Sequence, residues 1–190
     1  MNGTDALLAL AAALDAAEVP YMIVGSYSSN FYGVPRSTKD ADLVLHLPSS
    51  GWATLPKLLP PGIVMEDQMG FEMVTSTRKE LLQVKESLFQ IELFHLSDDP
   101  FDQSRFRRRR KIEIFPGSTV WLPTAEDVVV QKLRWAKGAK REKDFADAVA
   151  VTQVQGKTLD WTYIEKWCGE HGTLEVLAEA KTEAAPAWED

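Results

Sequence analysis

The stretch Tyr21-Met22-Ile23-Val24-Gly25-Ser26, followed by Gly33 and then by Arg36-Ser37-Thr38-Lys39-Asp40-Ala41-Asp42-Leu43-Val44-Leu45, decides the fold. Four apolar residues ended by a Gly-Ser pair read as a short buried strand that runs into a turn. A helix carrying Ser28, Asn30 and Phe31 fits next and stops near Gly33 and Pro35. From Asp40 to Leu47 the residues alternate, with Leu43 and Leu45 on one side and Asp40, Asp42, Val44 and His46 on the other. Two carboxylates thus share one face of a second strand.

This order of elements has a chemical meaning. A glycine turn that opens a helix offers backbone N–H groups and the positive end of a helix dipole, which suits phosphate oxygens. Two carboxylates at i and i+2 on one strand face repel each other unless a cation lies between them. Mg²⁺ is the expected cation, because it prefers hard oxygen ligands and is commonly shared between carboxylates and substrate phosphates.

Working outward, Thr4 is placed to cap a first helix bearing Leu7, Leu10 and Leu14 at helical spacing, with Pro20 beyond its end. Residues 50–59 read as a short crossover helix, and residues 63–66, 71–75 and 88–96 as further strands. Ile112, Ile114, Val120 and Leu122 alternate after an arginine-rich tract. Thr124 with Asp127 then opens a helix whose apolar side is Val128, Val129, Leu133 and Trp135, and helices fit residues 141–154, 160–168 and 173–183. The expected fold is α/β (α+β): a mixed sheet of about five strands with flanking helices over residues 1–122, a helical region over 123–183, and a flexible tail over 184–190.

The chain has 190 residues, ordinary globular composition and room for a sizeable core. Its 28 acidic and 21 basic residues give a net charge of -7, so the surface as a whole is not a polycation. Yet residues 105–111 hold six basic residues and residues 132–143 six more, and these two local patches could contact RNA, with Trp135 or Phe106 to stack on bases. An arginine run also guards an edge strand against pairing. The single cysteine, Cys168, excludes an internal disulfide and a Cys-cluster zinc site and fits a reducing compartment, with the cytoplasm as the expected location. The apolar opening at residues 6–17 lacks a preceding Lys or Arg and is broken by Asp15, so it reads as a packed helix rather than a leader. No run reaches the roughly 18 to 20 apolar residues that cross a bilayer.

Three look-alikes fail. Gly156-Lys157-Thr158 mimics the end of a P-loop, but Val151 stands where that pattern needs glycine. His46, His95 and His171 are scattered, which argues against zinc. Ser26, Ser28 and Ser29 lack a His-acid partner pattern for a serine hydrolase.

Gly25-Ser26, Arg36, Thr38, Asp40 and Asp42 together resemble the nucleotidyltransferase superfamily, whose pattern is a Gly-Ser turn, a helix, an Arg-x-Thr-x-Asp-x-Asp run and a third carboxylate on a later strand. Over residues 18–180 the chain is similar to stand-alone bacterial nucleotidyltransferase-like proteins related to the AbiEii toxins. The matching positions are Gln90-Ile91-Glu92-Leu93-Phe94, the Arg107–Arg110 run, Pro123–Asp127, Lys132, and Lys143-Asp144-Phe145-Ala146-Asp147. One departure is the third acid: the superfamily mostly has aspartate, and Glu92 carries its carboxylate about one C–C bond, ~1.5 Å, farther out.

The resemblance implies in-line transfer of a nucleoside monophosphate from an NTP to a hydroxyl, helped by two Mg²⁺ ions held by Asp40, Asp42 and Glu92. It implies that Gly25, Ser26, Arg36, Lys132 and Lys143 face the triphosphate, with Asp144 organising the lysines or binding the acceptor. The acceptor stays open among an RNA 3′ end such as tRNA, a partner protein and a small molecule of the aminoglycoside kind, and the basic segments tilt towards RNA. A toxin–antitoxin setting with an antitoxin partner follows from the resemblance alone. The competing expectations are a module of the same fold that binds nucleotide or RNA without turnover, and an acidic interaction protein that binds neither metal nor nucleotide.

Overall fold

The computed structural model describes residues 1–72, 77–139 and 141–185. The chain divides into two compact units. The first comprises residues 1–25 and 37–122, the second residues 26–36 and everything after 122. One cut falls between residues 122 and 123, and the segment 26–36 groups with the helical part. Among the described residues no helix is long and apolar enough to cross a membrane. Of the expected elements, residues 73–75 of one strand and residues 186–190 of the tail lie outside the described residues.

In the first unit, α1 (Gly3–Ala16) buries Ala6, Leu7, Leu10, Ala11 and Leu14 along one stripe. Its cap is Asn2, whose side chain accepts from the Asp5 N–H at 2.8 Å, so the helix starts before Thr4 rather than at it. The strands are β1 (Tyr21–Val24), β2 (Asp40–Leu45), β3 (Ile63–Glu72), β4 (Thr77–Val84) and β5 (Gln90–His95). They form one mixed sheet in the order β1-β2-β5-β4-β3. Among the described residues only β2 and β5 pair in parallel; their register sets Asp42 beside Glu92 and Leu45 beside His95. Such a pair needs a crossover. Here α3 (Ser49–Thr54), a 3-10 turn at Leu55–Leu58, β3 and β4 supply it.

Three elements depart from the sequence reading. β4, Thr-Arg-Lys-Glu-Leu-Leu-Gln-Val, was not expected as a strand, yet it pairs on both edges, with β3 and with β5. The two expected strands around residues 63–72 are one strand with a register shift between Met65 and Met69. The arginine-rich tract is not a strand edge throughout: residues up to Arg108 form α4 (Pro100–Arg108). Asp99 caps it by accepting from the Phe101 and Asp102 N–H groups at 3.0 and 3.1 Å. Phe101, Asp102, Arg105 and Phe106 are its buried stripe. Phe106 packs with Met22, Val24, Val44 and Phe94, an apolar floor on the sheet face that carries Asp42 and Glu92. β6 (Arg110–Phe115) and β7 (Ser118–Leu122) close the unit as an antiparallel hairpin.

The second unit gathers α5 (Ala125–Ala139), α6 (Glu142–Gln155), α7 (Trp161–His171) and α8 (Leu174–Ala184) with most of α2 (Gly25–Tyr32). Thr124 opens α5 by donating to Asp127 Oδ2 at 2.9 Å, and Asp160 caps α7 through the Tyr163 N–H at 3.0 Å. A Cβ at Gly33 would lie 2.9 Å from the backbone nitrogen of Val151, so glycine lets the end of α2 rest directly on α6.

Candidate functional site

The first unit builds a carboxylate face. Asp40 and Asp42 point the same way from β2, and strand pairing sets Asp42 between Val24 of β1 and Glu92 of β5. Side-by-side residues on neighbouring strands are about 4.8 Å apart, so Asp42 and Glu92 emerge as neighbours. Gly25 follows directly from β1 with φ +63°, and a Cβ there would stand 1.9 Å from Asp42 Oδ2. Asp42 occupies the space a side chain at position 25 would need. At the exposed end of the strand, Thr38 Oγ1 donates to Asp40 Oδ1 at 2.6 Å and orients it. Glu92 accepts from Lys79 Nζ at 2.8 Å, both side chains about a quarter exposed.

The donor set suits magnesium: two hard-oxygen carboxylates at i and i+2, with a third beside them by register. The three are not already drawn together around an ion-sized point. Among the described residues no three or more His, Cys, Asp or Glu side chains cluster closely enough to grip a metal, and Glu92 is turned to Lys79. Lys79 escaped the sequence reading because β4 did. Its only signal was the weak alternation of Arg78, Glu80, Leu82 and Val84 against Lys79 and Leu81.

The second unit builds a buried charge network. Arg36 Nε and Nη2 donate to both oxygens of Asp147 at 2.8 and 2.7 Å, and Nη2 reaches Ser26 Oγ at 3.1 Å. Lys132 Nζ bridges Asp144 Oδ1 at 2.8 Å and Asp147 Oδ2 at 2.7 Å. Ser29 Oγ adds a contact to Asp147 at 3.3 Å. Asn30 clamps the Arg36 backbone through both its N–H and C=O. Burial alone would push the Asp147 carboxyl up, but the Arg36 hydrogen bonds and the Lys132 charge prevail and hold it below the usual range.

Lys132, expected to face a triphosphate, has a side chain only 5% exposed whose ammonium serves two carboxylates within the unit. Asp144 shares that network, as does Asp147, which the sequence analysis named only within the Lys143–Asp147 segment and gave no role. Lys143 is exposed on α6 and, among the described residues, takes no part in it.

The basic tract is also partly spent. Arg105 is buried against Asp102 at 2.9 Å. Arg109 lies over the rings of Phe106 and Trp121 at 4.2 and 5.0 Å and donates to the Phe106 carbonyl; burial lowers its pKa. Lys111 pairs with Asp15 at 3.1 Å. Phe106 and Trp135 are 4% and 9% exposed and are core residues, which removes them as stacking platforms. Lys140 of the second basic segment lies outside the described residues.

No family model and no curated protein matches the sequence. Solved structures do. The fold is similar to that of the antibiotic-resistance factor ANT(2'')-Ia, at 14% identity over 94% of this chain and 99% of that one, with a TM-score of 0.61. It is similar to an antigenic nucleotidyltransferase-like protein from Paracoccidioides brasiliensis, at 16% identity over 98% and 94% of the two chains and a TM-score of 0.58. JHP933 from Helicobacter pylori aligns at 15% identity over 98% and 90%, with a TM-score of 0.53. The five-stranded mixed sheet followed by helices thus has solved counterparts, and the chain shares the fold of these nucleotidyltransferase and nucleotidyltransferase-like structures.

Proposed function

We propose that the protein is a magnesium-dependent nucleotidyltransferase that moves a nucleoside monophosphate from an NTP to an acceptor hydroxyl. The observation that carries this reading is the setting of Asp42, beside Glu92 across the parallel ladder and filling the space over Gly25. Asp40 and Asp42 would hold Mg²⁺, with Glu92 as third ligand, and the bound ions would supply charge neutralisation at the attacking and leaving oxygens. The backbone N–H groups of the first turn of α2, from Gly25 and Ser26, bind phosphate oxygens. The acceptor oxygen bonds to the α-phosphorus, the bond to the bridging oxygen breaks, pyrophosphate leaves, and a site carboxylate takes the hydroxyl proton. Arg36, Lys132 and Asp144 act here by fixing the start of α2 through Ser26 and Asp147, while the exposed Lys143 stands outside that network.

The acceptor in this reading is an RNA 3′ end such as tRNA, supported by the exposed Arg107 and Arg110. A small-molecule hydroxyl is the second reading. Arg105 and Arg109 are consumed internally, and the similar ANT(2'')-Ia has a crystal structure with adenylyl-2''-tobramycin. A toxin–antitoxin role with an antitoxin partner is supported only by the AbiEii resemblance.

The test incubates the protein and Asp42→Asn with Mg²⁺, each α-labelled NTP, total RNA, cell extract and an aminoglycoside. Label on RNA that falls at least 100-fold in the variant is expected, on the scale at which loss of an electrostatic catalytic group acts. Label on the small molecule selects the second reading. Nucleotide binding without Asp42-dependent label would leave a binding module of this fold, and no binding at all would overturn the proposal.

A further inference from the structure

The face of the sheet turned away from Asp42 and Glu92 carries a second polar cluster. Alternation along β5 puts Leu93 and His95 on that face, and register sets Glu80 of β4 opposite Leu93. Leu47, Trp52, Met65, Arg78, Glu80 and His95 border a cavity there of about 320 Å³. At about 30 Å³ per water-sized group, it has room for roughly ten heavy atoms.

Its polar wall is incomplete. The His95 ring stacks on the Trp52 indole, with centroids 3.6 Å apart and planes 5° from parallel. His95 Nε2 is buried and, among the described residues, has no hydrogen-bond partner. Glu80 Oε1 lies 3.6 Å from it, and Arg78 Nε lies 3.5 Å from the same oxygen. Both separations are too long for a hydrogen bond. Burial holds the imidazole below its ordinary pKa, with Arg78 adding to that and Glu80 opposing it, so the ring is neutral at pH 7. Nε2 and Glu80 Oε1 thus face each other 3.6 Å apart without a direct hydrogen bond, a gap that one group carrying several N–H donors and a positive charge can close from the cavity side. Apart from Ser49, the remaining wall, Leu47, Ala53, Met65 and the Trp52–His95 stack, is apolar or aromatic.

We propose that this cavity is a binding site for a small primary amine, its ammonium seated between Glu80 and His95 and its apolar body against Trp52, Leu47 and Met65. The site lies entirely within the sheet unit and is independent of nucleotidyl transfer.

The probe is phenethylamine, titrated into the ¹⁵N-labelled full chain and followed by NMR, with phenethyl alcohol as the uncharged match. Saturable shifts centred on the Trp52 indole N–H and His95 are expected, with the alcohol and the Glu80→Gln variant each binding at least tenfold more weakly. Arg78→Met gives a second reading should Glu80→Gln not fold: removing the guanidinium that shares Glu80 Oε1 is expected to tighten amine binding several-fold. Equal binding of amine and alcohol would reduce the cavity to an apolar hole, and either that, an absence of saturation, or weaker binding in Arg78→Met would overturn the proposal.

Discussion

At position 25 a methyl group would meet the Asp42 carboxylate at 1.9 Å, and the backbone there has φ +63°. Both facts weigh on one substitution. Gly25→Ala is expected to lower stability by about 1–2 kcal/mol from the left-handed backbone alone, with a further loss from the displaced carboxylate. Urea unfolding of Gly25→Ala, Asp42→Ser and the double variant separates the two, because removing the carboxylate relieves the overlap but not the backbone strain. Strictly additive costs would show that the two residues do not compete for space. Gly25 and Asp42 were legible in the sequence because strand, turn and strand are local. What Asp42 and Glu92 share was not, since it rests on a pairing between positions 50 residues apart.

Among the elements, α2, α5 and α6 are joined by charge rather than by apolar contact alone. Arg36 and Lys132 bring two positive charges, Asp144 and Asp147 two negative ones, and three of the four are nearly inaccessible. Removing one member of a buried ionic cluster strands its partners, typically at about 3–5 kcal/mol. Lys132→Met is therefore expected to cost that much in denaturant midpoint, whereas Lys143→Met, one residue from Asp144 but exposed, should stay within about 0.5 kcal/mol. Similar costs for the two lysines would dissolve the distinction. The resemblance gave the two lysines the same role, and spacing on a helix could not separate them because it does not say which face another helix covers. Two elements were illegible for a related reason. β4 is written in residues with strong helix propensity and becomes a strand by pairing on both edges. The arginines of α4 hide a buried stripe of Phe101, Asp102, Arg105 and Phe106.

For the whole molecule, acid is the expected weakness. The Asp147 carboxyl is held below its ordinary 3.8, so its stabilisation is full above that value and is lost as pH falls through the folded-state value. His95, facing Glu80 and Arg78, is held below its ordinary 6.5, so the folded state binds fewer protons than the unfolded chain and stability rises with pH up to that value. A melting series from pH 3 to 7 should climb in two stretches, the lower flattened by Asp147→Asn and the upper by His95→Gln; unchanged slopes in the variants would refute the assignment. The helical unit also borrows residues 26–36 from the middle of the sheet unit's sequence. During synthesis Arg36 leaves the ribosome 111 residues ahead of Asp147, on the order of 5–20 s at ordinary elongation rates. A nascent chain stopped after Leu122 would hold every strand of the sheet yet carry an orphaned α2 segment, so any fragment or fusion cut there inherits a piece of a unit it does not contain.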